Sequence, residues 1–306
     1  MKKLPVNWPP SGRYILAVSG GADSMVLLDL FVRAASEHKY ELIVAHFDHG
    51  IRTDSAADRR LVEDAAAHHS LPFEAQTANL RGSGEAAARA ARHTWLEQVR
   101  QKRHAAAILT AHHQDDLIET SLLNLARGTN RLGLAPMAAS PTILRPLLGT
   151  SRAKLREYAC ARDVVWHEDS TNADQSNPRN FLRLSLLPSA SLDWRNRYLE
   201  LIATLTELNT KIDQNISEML ESARLDPQTY SFPTAQITDL DILELQELIV
   251  AASRALQPGI QLDEPLIREI AAFAKNATTG KFRPLRQGVL CVRTRKGVNL
   301  TTNVPH

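Results

Sequence analysis

Cysteine is almost missing from this chain. Cys160 and Cys291 are the two among 306 residues, and no Cys-x-x-Cys pair exists. That speaks against a disulfide scaffold, a zinc site and an iron–sulfur cluster, and leaves both thiols as inert packing groups. Long apolar runs are missing too, and no stretch reaches membrane-spanning length. The two lysines of the opening MKKLPVNWPPSGRY have no apolar run behind them, so no signal peptide is read there and a cytoplasmic location is expected. Charge of one sign is scarce: 36 Lys and Arg stand against 34 Asp and Glu. Bulk charge therefore demands no nucleic-acid partner, and only clustered basic residues would permit one. What remains is ordinary globular composition at a length that permits two domains.

The first half alternates. Residues 14–18 (YILAV), 42–46 (LIVAH), 71–76 and 106–111 (AAILTA) predict strands. Between and after them, 24–35, 54–69, 84–103 and 115–126 predict helices, the second with Asp54 or Ser55 as N-cap. This alternation predicts an α/β fold with a doubly wound parallel sheet covered on both faces. Ligands of such sheets bind beyond the carboxyl ends of the strands. The unusual polar residues fall there: Ser19 after the first strand, His46 and Asp48 after the second, His112 and Asp116 after the fourth. The second half changes character. Residues 193–223, 238–256 and 264–273 read as helices, which predicts a catalytic domain over 1–188 and a second, smaller, mostly helical domain over 189–306. Residues 281–296 hold six basic residues and no acidic one, and 289–292 with 298–300 predict a hairpin turning near Lys296-Gly297.

Chemistry enters at Ser19-Gly20-Gly21-Ala22-Asp23-Ser24, between a strand and a helix. Small residues let backbone approach a phosphate, and the N–H groups of a helix start bind anions. Ser19 and Ser24 add hydroxyls. Asp23 would repel a bare phosphate, which suggests a bridging Mg²⁺. The lysine of a Walker loop is lacking, so hydrolysis of a γ-phosphate is not the chemistry read here. Further on, His112, Asp116 and Glu119 stand at i, i+4 and i+7, on one helical face where two carboxylates could grip an ammonium. His112, His113 and Asp115 offer a weaker metal-ligand pattern. Arg89 and Arg92 lie three apart on an alanine-rich helix.

The loop resembles the SGGxDS motif of the PP-loop (N-type) ATP pyrophosphatases. Six further segments resemble the tRNA(Ile)-lysidine synthetases within that superfamily: His46-Phe47-Asp48-His49-Gly50-Ile51-Arg52, the run from Glu85 through Arg89 to Arg92-His93, the run from His112-His113 through Asp115-Asp116 to Glu119-Thr120, Arg127-Gly128 with Gly133-Leu134, Arg145-Pro146-Leu147-Leu148, and Trp166-His167-Glu168-Asp169-Ser170-Thr171-Asn172 with Arg179-Asn180 and Arg183. His93 stands where the family often has Tyr. The resemblance covers roughly residues 14–188 and implies a reaction. ATP is cleaved between its α and β phosphates, and AMP is placed on the C2 oxygen of the wobble cytidine of an isoleucine tRNA with CAU anticodon. Free L-lysine then displaces it.

The resemblance also implies roles. Ser19 to Ser24, His46, Asp48, His112, Arg127 and Gly128 would bind ATP, with Mg²⁺ on Asp23. Arg92, Asp116 and Glu119 would bind lysine, and these three with Asp23 and Ser24 would form the catalytic set. Arg152, Arg179, Arg183, Lys281, Arg283 and Arg286 are the expected tRNA contacts, and a homodimer is left open. Other readings are a different PP-loop enzyme, either a tRNA thiolase or a small-molecule amidating synthetase, and a nucleotide-sensing module without catalysis.

Overall fold

A strand apolar on both sides must be buried on both faces. In β1 (Gly12–Ala17), Tyr14 and Leu16 enter one core and Ile15 the other. This computed structural model describes residues 4–50, 55–78, 84–168 and 177–303. In it β1 is the middle of a parallel sheet ordered β3-β2-β1-β4-β5, built with β2 (Tyr40–Asp48), β3 (Phe73–Thr77), β4 (Ala107–Leu109) and β5 (Ile143–Leu144). Ile15 pairs with Ile43 on one side and Ile108 on the other.

Helices follow the strands as the alternation predicts: α1 (Ala22–His38), α2 (Ser55–His68), α3 (Glu85–Lys102) and α4 (Gln114–Ala126), then the single turn α5 (Arg131–Leu134) and α6 (Arg152–Ala161). Met25, Leu27 and Phe31 of α1, Val62 of α2 and Leu155 of α6 pack on Leu16, Val44 and Leu109. Trp95, Leu96 and Val99 of α3 pack on Ile15, Ile43 and Ile108 across the sheet. The sheet is therefore doubly wound. The chain moves outward from β1 to β3, then crosses back to β4. The carboxyl ends of β1 and β4 flank the point where strand order reverses, the position at which such folds bind ligands. Asp54, offered with Ser55 as the α2 cap, lies outside the described residues, as do Ile51, Arg52 and Asp169 to Asn172 of the motifs.

The chain divides into units Met1–Thr206 and Glu207–His306, whereas composition alone suggests a division at 188. Short pieces α7 (Pro178–Phe181), a π-helical turn (Leu182–Leu186) and α8 (Leu187–Ser189) lead to α9 (Leu192–Ala223), inside which the boundary falls. The second unit holds β6 (Arg224–Asp226), β7 (Thr229–Pro233), α10 (Thr234–Asp239), α11 (Ile242–Leu256), α12 (Glu264–Asn276), β8 (Phe282–Pro284), β9 (Leu290–Arg293) and β10 (Gly297–Thr301). The expected hairpin is β9–β10, pairing Leu300 with Cys291, but it belongs to an antiparallel sheet ordered β6-β7-β10-β9-β8. The outer strands are three exposed residues each, and the central β7–β10 pair joins segments remote in sequence, so neither leaves a local pattern. The helix expected over 238–256 is interrupted. Leu240 is extended and Asp241 caps α11, accepting from the Leu243 and Glu244 N–H groups while Glu244 accepts from Asp241 N–H. No helix of the described residues is long and apolar enough to cross a membrane.

Phe31 is fully buried against Trp8 and Tyr40, with ring centroids 5.1 and 5.4 Å away. Phe31→Ala should cost about 3–5 kcal/mol of unfolding free energy in denaturant titration. A loss under about 1 kcal/mol would contradict this packing.

Candidate active site

After β1 the chain turns through Ser19-Gly20-Gly21 into α1. Gly20 has φ +95°, and a Cβ there would lie 3.3 Å from Cβ of Asp58 on α2, so the turn needs glycine. Gly21 is different. Its φ is −76°, and a Cβ on it would meet nothing nearer than Ser19 Oγ at 3.7 Å. The fold does not require glycine at 21, whereas a ligand pressed against the backbone would. Gly21 also supplies no side-chain cap, so the first N–H groups of α1 are left for an anion. Ser24, buried, sets the loop: its Oγ donates to Gly21 O at 2.9 Å, accepts from Ser19 N–H at 3.1 Å and lies 3.1 Å from Ser19 Oγ. His167 braces it from outside, its N–H donating to Gly20 O at 3.0 Å and its Nδ1 lying 2.9 Å from Asp58 Oδ1.

Asp23 stands in the first turn of α1. Its Oδ1 is buried without a hydrogen-bond partner, and its Oδ2 lies 3.4 Å from Nε2 of His113. His113 is 1% exposed and caps α4. Its Nδ1 accepts from Asp116 N–H at 3.4 Å, and Asp116 Oδ2 accepts from His113 N–H at 3.1 Å. A neutral ring that accepts at Nδ1 carries its proton on Nε2, toward Asp23. One imidazole thus ties the loop carboxylate to the helix bearing Asp116 and Glu119. Burial opposes charge on this ring, but the Asp23 hydrogen bond and the charges of Asp116, Asp23 and Asp115 outweigh it and raise its pKa. Burial likewise pushes the Asp23 carboxyl up, and His113, Arg152 and Arg156 bring it below its ordinary value.

Glu119 has no exposed surface. Arg183, on the π-helical turn, holds it by two bonds of 2.9 Å, Nε to Oε1 and Nη2 to Oε2. The same Nη2 stands 3.4 Å from Asp116 Oδ1. Arg179 Nε is 3.9 Å from Glu119 Oε2, and its Nη2 donates to Thr120 Oγ1 at 2.9 Å. The two acids expected to grip an ammonium are therefore side by side and already grip a cation of this chain. The two arginines, expected at RNA phosphates, are turned onto α4.

His112 Nδ1 meets Thr110 Oγ1 at 2.8 Å; burial and the charges of Arg145, Arg92 and Arg89 push its pKa down to about 3. No carboxylate among the described residues pairs with these arginines. Burial and the charge of Arg89 lower both Arg92 and Arg145, whose Nε atoms are buried without partners. Like charges assembled in this way form an anion site. His46 is buried with Nδ1 on Val18 O at 2.9 Å, which leaves Nε2 as an acceptor without a partner. Asp48 Oδ1 accepts from Gly50 N–H at 2.8 Å.

Two of the residues expected at ATP are not brought to the loop. Arg127 and Gly128 close the far end of α4, whose 13 residues amount to about 20 Å of helix. Lys281, Arg283 and Arg286 belong to the second unit, where Arg283 Nε lies 3.7 Å from Glu269 and Arg286 pairs with Asp263. No three His, Cys, Asp or Glu among the described residues are arranged to hold a metal, so the His112, His113 and Asp115 reading does not form. Asp23 Oδ1 is a free buried oxygen, which fits a Mg²⁺ held mainly by phosphates and water. Sequence reasoning gave His113 no part in this link. Histidine is outside the usual N-cap set, so its reciprocal bonds with Asp116 are not signalled by residue type.

Residues 1–190 match a family model described as a PP-loop domain. A tRNA(Ile)-lysidine synthase of Thermosynechococcus vestitus is 34% identical over 257 residues, covering 82% of this chain and 73% of that protein. The chain belongs to the tRNA(Ile)-lysidine synthase family of PP-loop proteins. Two further relatives with that name come from Thermus thermophilus, 42% identical over 186 residues, and Gloeobacter violaceus, 35% over 220. These matches cover 58% and 70% of this chain, but 36% and 66% of the relatives. Among solved structures, a U34-tRNA thiolase of Methanococcus maripaludis aligns with TM-score 0.55 at 14% identity, covering 65% of this chain and 74% of that one. The likeness is one of fold.

The link in this PP-loop protein can be read by NMR titration of its imidazoles. His113 should titrate above 6.5, and His112 should stay neutral down to about 3. The raised His113 value contributes stability that is full below 6.5 and fades as pH rises through its folded pKa. His112 works oppositely and costs stability as pH falls from 6.5 toward about 3. Asp23→Asn should lower the His113 value, and an unshifted ring in that variant would contradict the link.

Proposed function

We propose that this chain converts the wobble cytidine of an isoleucine tRNA with CAU anticodon to lysidine, consuming ATP and free L-lysine. The observation that carries this reading is His113, one buried ring touching both the nucleotide loop and the helix of the acid pair. A reaction that first activates and then displaces needs its two sites adjacent.

The ATP phosphates rest on the N–H groups at the start of α1, beside Ser19 and Ser24, and the ribose or base meets the His46 Nε2 acceptor. Asp23 would hold a Mg²⁺, which would supply neutralisation of phosphate charge. The C2 oxygen of cytidine attacks the α-phosphorus, the bond to the β-phosphate oxygen breaks, and pyrophosphate leaves against Arg89, Arg92 and Arg145. Lysine then lays its carboxylate on Arg92 and its α-ammonium on Asp116 and Glu119, with Arg183 giving way. Its ε-amine, as the free base, attacks C2; the C–N bond forms, AMP departs with the oxygen, and the amine's surplus proton passes to solvent. The first unit performs this chemistry, and the second, with Lys281, Arg283 and Arg286, holds the tRNA. A thiolase reading is disfavoured by the thiols: Cys160 is a lone exposed thiol on α6 with no second cysteine beside it in the sequence, and burial pushes Cys291 up to about 12, which makes it unreactive.

Incubation with ATP, radiolabelled lysine and the tRNA should put label into RNA; ATP consumption without label would sink the proposal. Asp23→Ala should abolish pyrophosphate release, and near-normal release would contradict its role. Glu119→Ala should raise the lysine KM more than the ATP KM; an unchanged lysine KM with intact turnover would remove it from the lysine pocket. Gly21→Ala should fold normally yet bind ATP at least about tenfold more weakly, since only a ligand reaches that Cα. Wild-type affinity in this variant would place the phosphates elsewhere. Cys160→Ala with Cys291→Ala should retain activity.

A further inference from the structure

Beside the link lies a cleft of about 720 Å³ in the first unit, walled by the starts of α4, α6 and α9. Its polar lining is unbalanced. Arg152, Arg156 and Arg195 face one acid, Asp115. That acid is already satisfied: Arg195 Nη1 donates to its Oδ1 at 2.8 Å, and Arg152 N–H donates to its Oδ2 at 2.8 Å. Arg156 is engaged by Glu168. The Arg152 guanidinium is in no ion pair within 4 Å among the described residues, and its charge acts on Asp23 and Glu168 from farther off. From α9, exposed Asn196 and half-buried Leu199 also line the cleft, Leu192, 73% exposed, adds apolar surface, and Ile118 lies buried behind them.

An inorganic anion has no use for the apolar surface, and an apolar ligand has none for the arginines. A nucleotide uses both, with its phosphate on the guanidinium and its base on the aliphatic and planar surfaces. The volume lies within the range of small-ligand pockets. The position also matters: Asp115 Oδ2 is 3.9 Å from His113 Nδ1, so the cleft abuts the link to Asp23. A base that reacts at the loop must leave its stack, and the strand on either side must then lie along the adjoining surface. We propose that this cleft seats a nucleotide next to the target cytidine, with its phosphate on Arg152 and Arg195 and its base against Leu192 and Leu199.

This inference rests on the tRNA reading and fails separately from it. The test measures binding of an anticodon stem-loop RNA carrying CAU, without ATP or lysine, to the whole chain. Arg152→Gln removes positive charge from α6, and Asn196→Asp adds negative charge on α9 at an exposed site. Each should raise the RNA Kd about five- to tenfold with unaltered melting, and Arg152→Gln should reduce the slope of log Kd against log salt by about 1. Unchanged Kd in both variants overturns the cleft, as does an effect confined to Arg152→Gln. Unchanged RNA affinity with weakened inhibition by pyrophosphate also overturns it, because the cleft would then serve the leaving group. A wild type that binds the hairpin but makes no lysidine sinks the tRNA-lysine reading and leaves the cleft standing.

Discussion

The contact between His113 and Asp23 organises everything around it. A buried imidazole has two nitrogens and can serve two masters only if each is given a fixed role. Here Nδ1 receives the Asp116 N–H at the start of α4, and Nε2 faces the carboxylate in the first turn of α1. The two helices follow β1 and β4, the strands flanking the point where sheet order reverses. The parallel sheet thus delivers two helix starts to one crevice, and a single ring holds them in register. Glycine at 20, the Ser24 hydroxyl and the His167 brace keep the loop ready on one side. The capping bonds of Asp116 do so on the other.

The second feature that gives the site its character is a cation resting where a cation is expected to bind. Arg183 fills the acid pair in a two-bond geometry that is strong when desolvated. Removing one member of such a buried pair leaves an uncompensated charge, so the pair resists being opened by halves. Exchange of one cation for another avoids that cost. Arg183 sits on a π-helical turn, a form of backbone found often at functional sites. Around His112, Arg89, Arg92 and Arg145 have the reverse problem, positive charge without a paired acid among the described residues. Substrates that bring an ammonium to one group and phosphates or a carboxylate to the other suit both.

Much of this was legible in the residues because it is local. Strand and helix alternation, the loop, and the i, i+4, i+7 spacing of His112, Asp116 and Glu119 each depend on a few neighbouring positions. What was not legible depends on distance. Arg183 meeting Glu119 and His113 meeting Asp23 join segments far apart, and no local periodicity records them. The sheet of the second unit was hidden for the same reason, since the β7–β10 pair is long-range and its edge strands are three residues each. Arginine also misleads by type. Its usual place is the surface, so Arg179 and Arg183 read as RNA contacts, and their bonds to Thr120 and Glu119 of α4 are not signalled by residue type.

In the proposed reaction one crevice performs two ordered steps, with AMP on the RNA between them. The direct measurement is mass spectrometry of the isoleucine tRNA after incubation with the protein and ATP but no lysine, followed by a lysine chase. The account predicts RNA carrying AMP at the wobble cytidine, converted to lysidine when lysine is added. AMP found on lysine instead, or lysidine formed without any adenylated RNA accumulating or turning over, would contradict it.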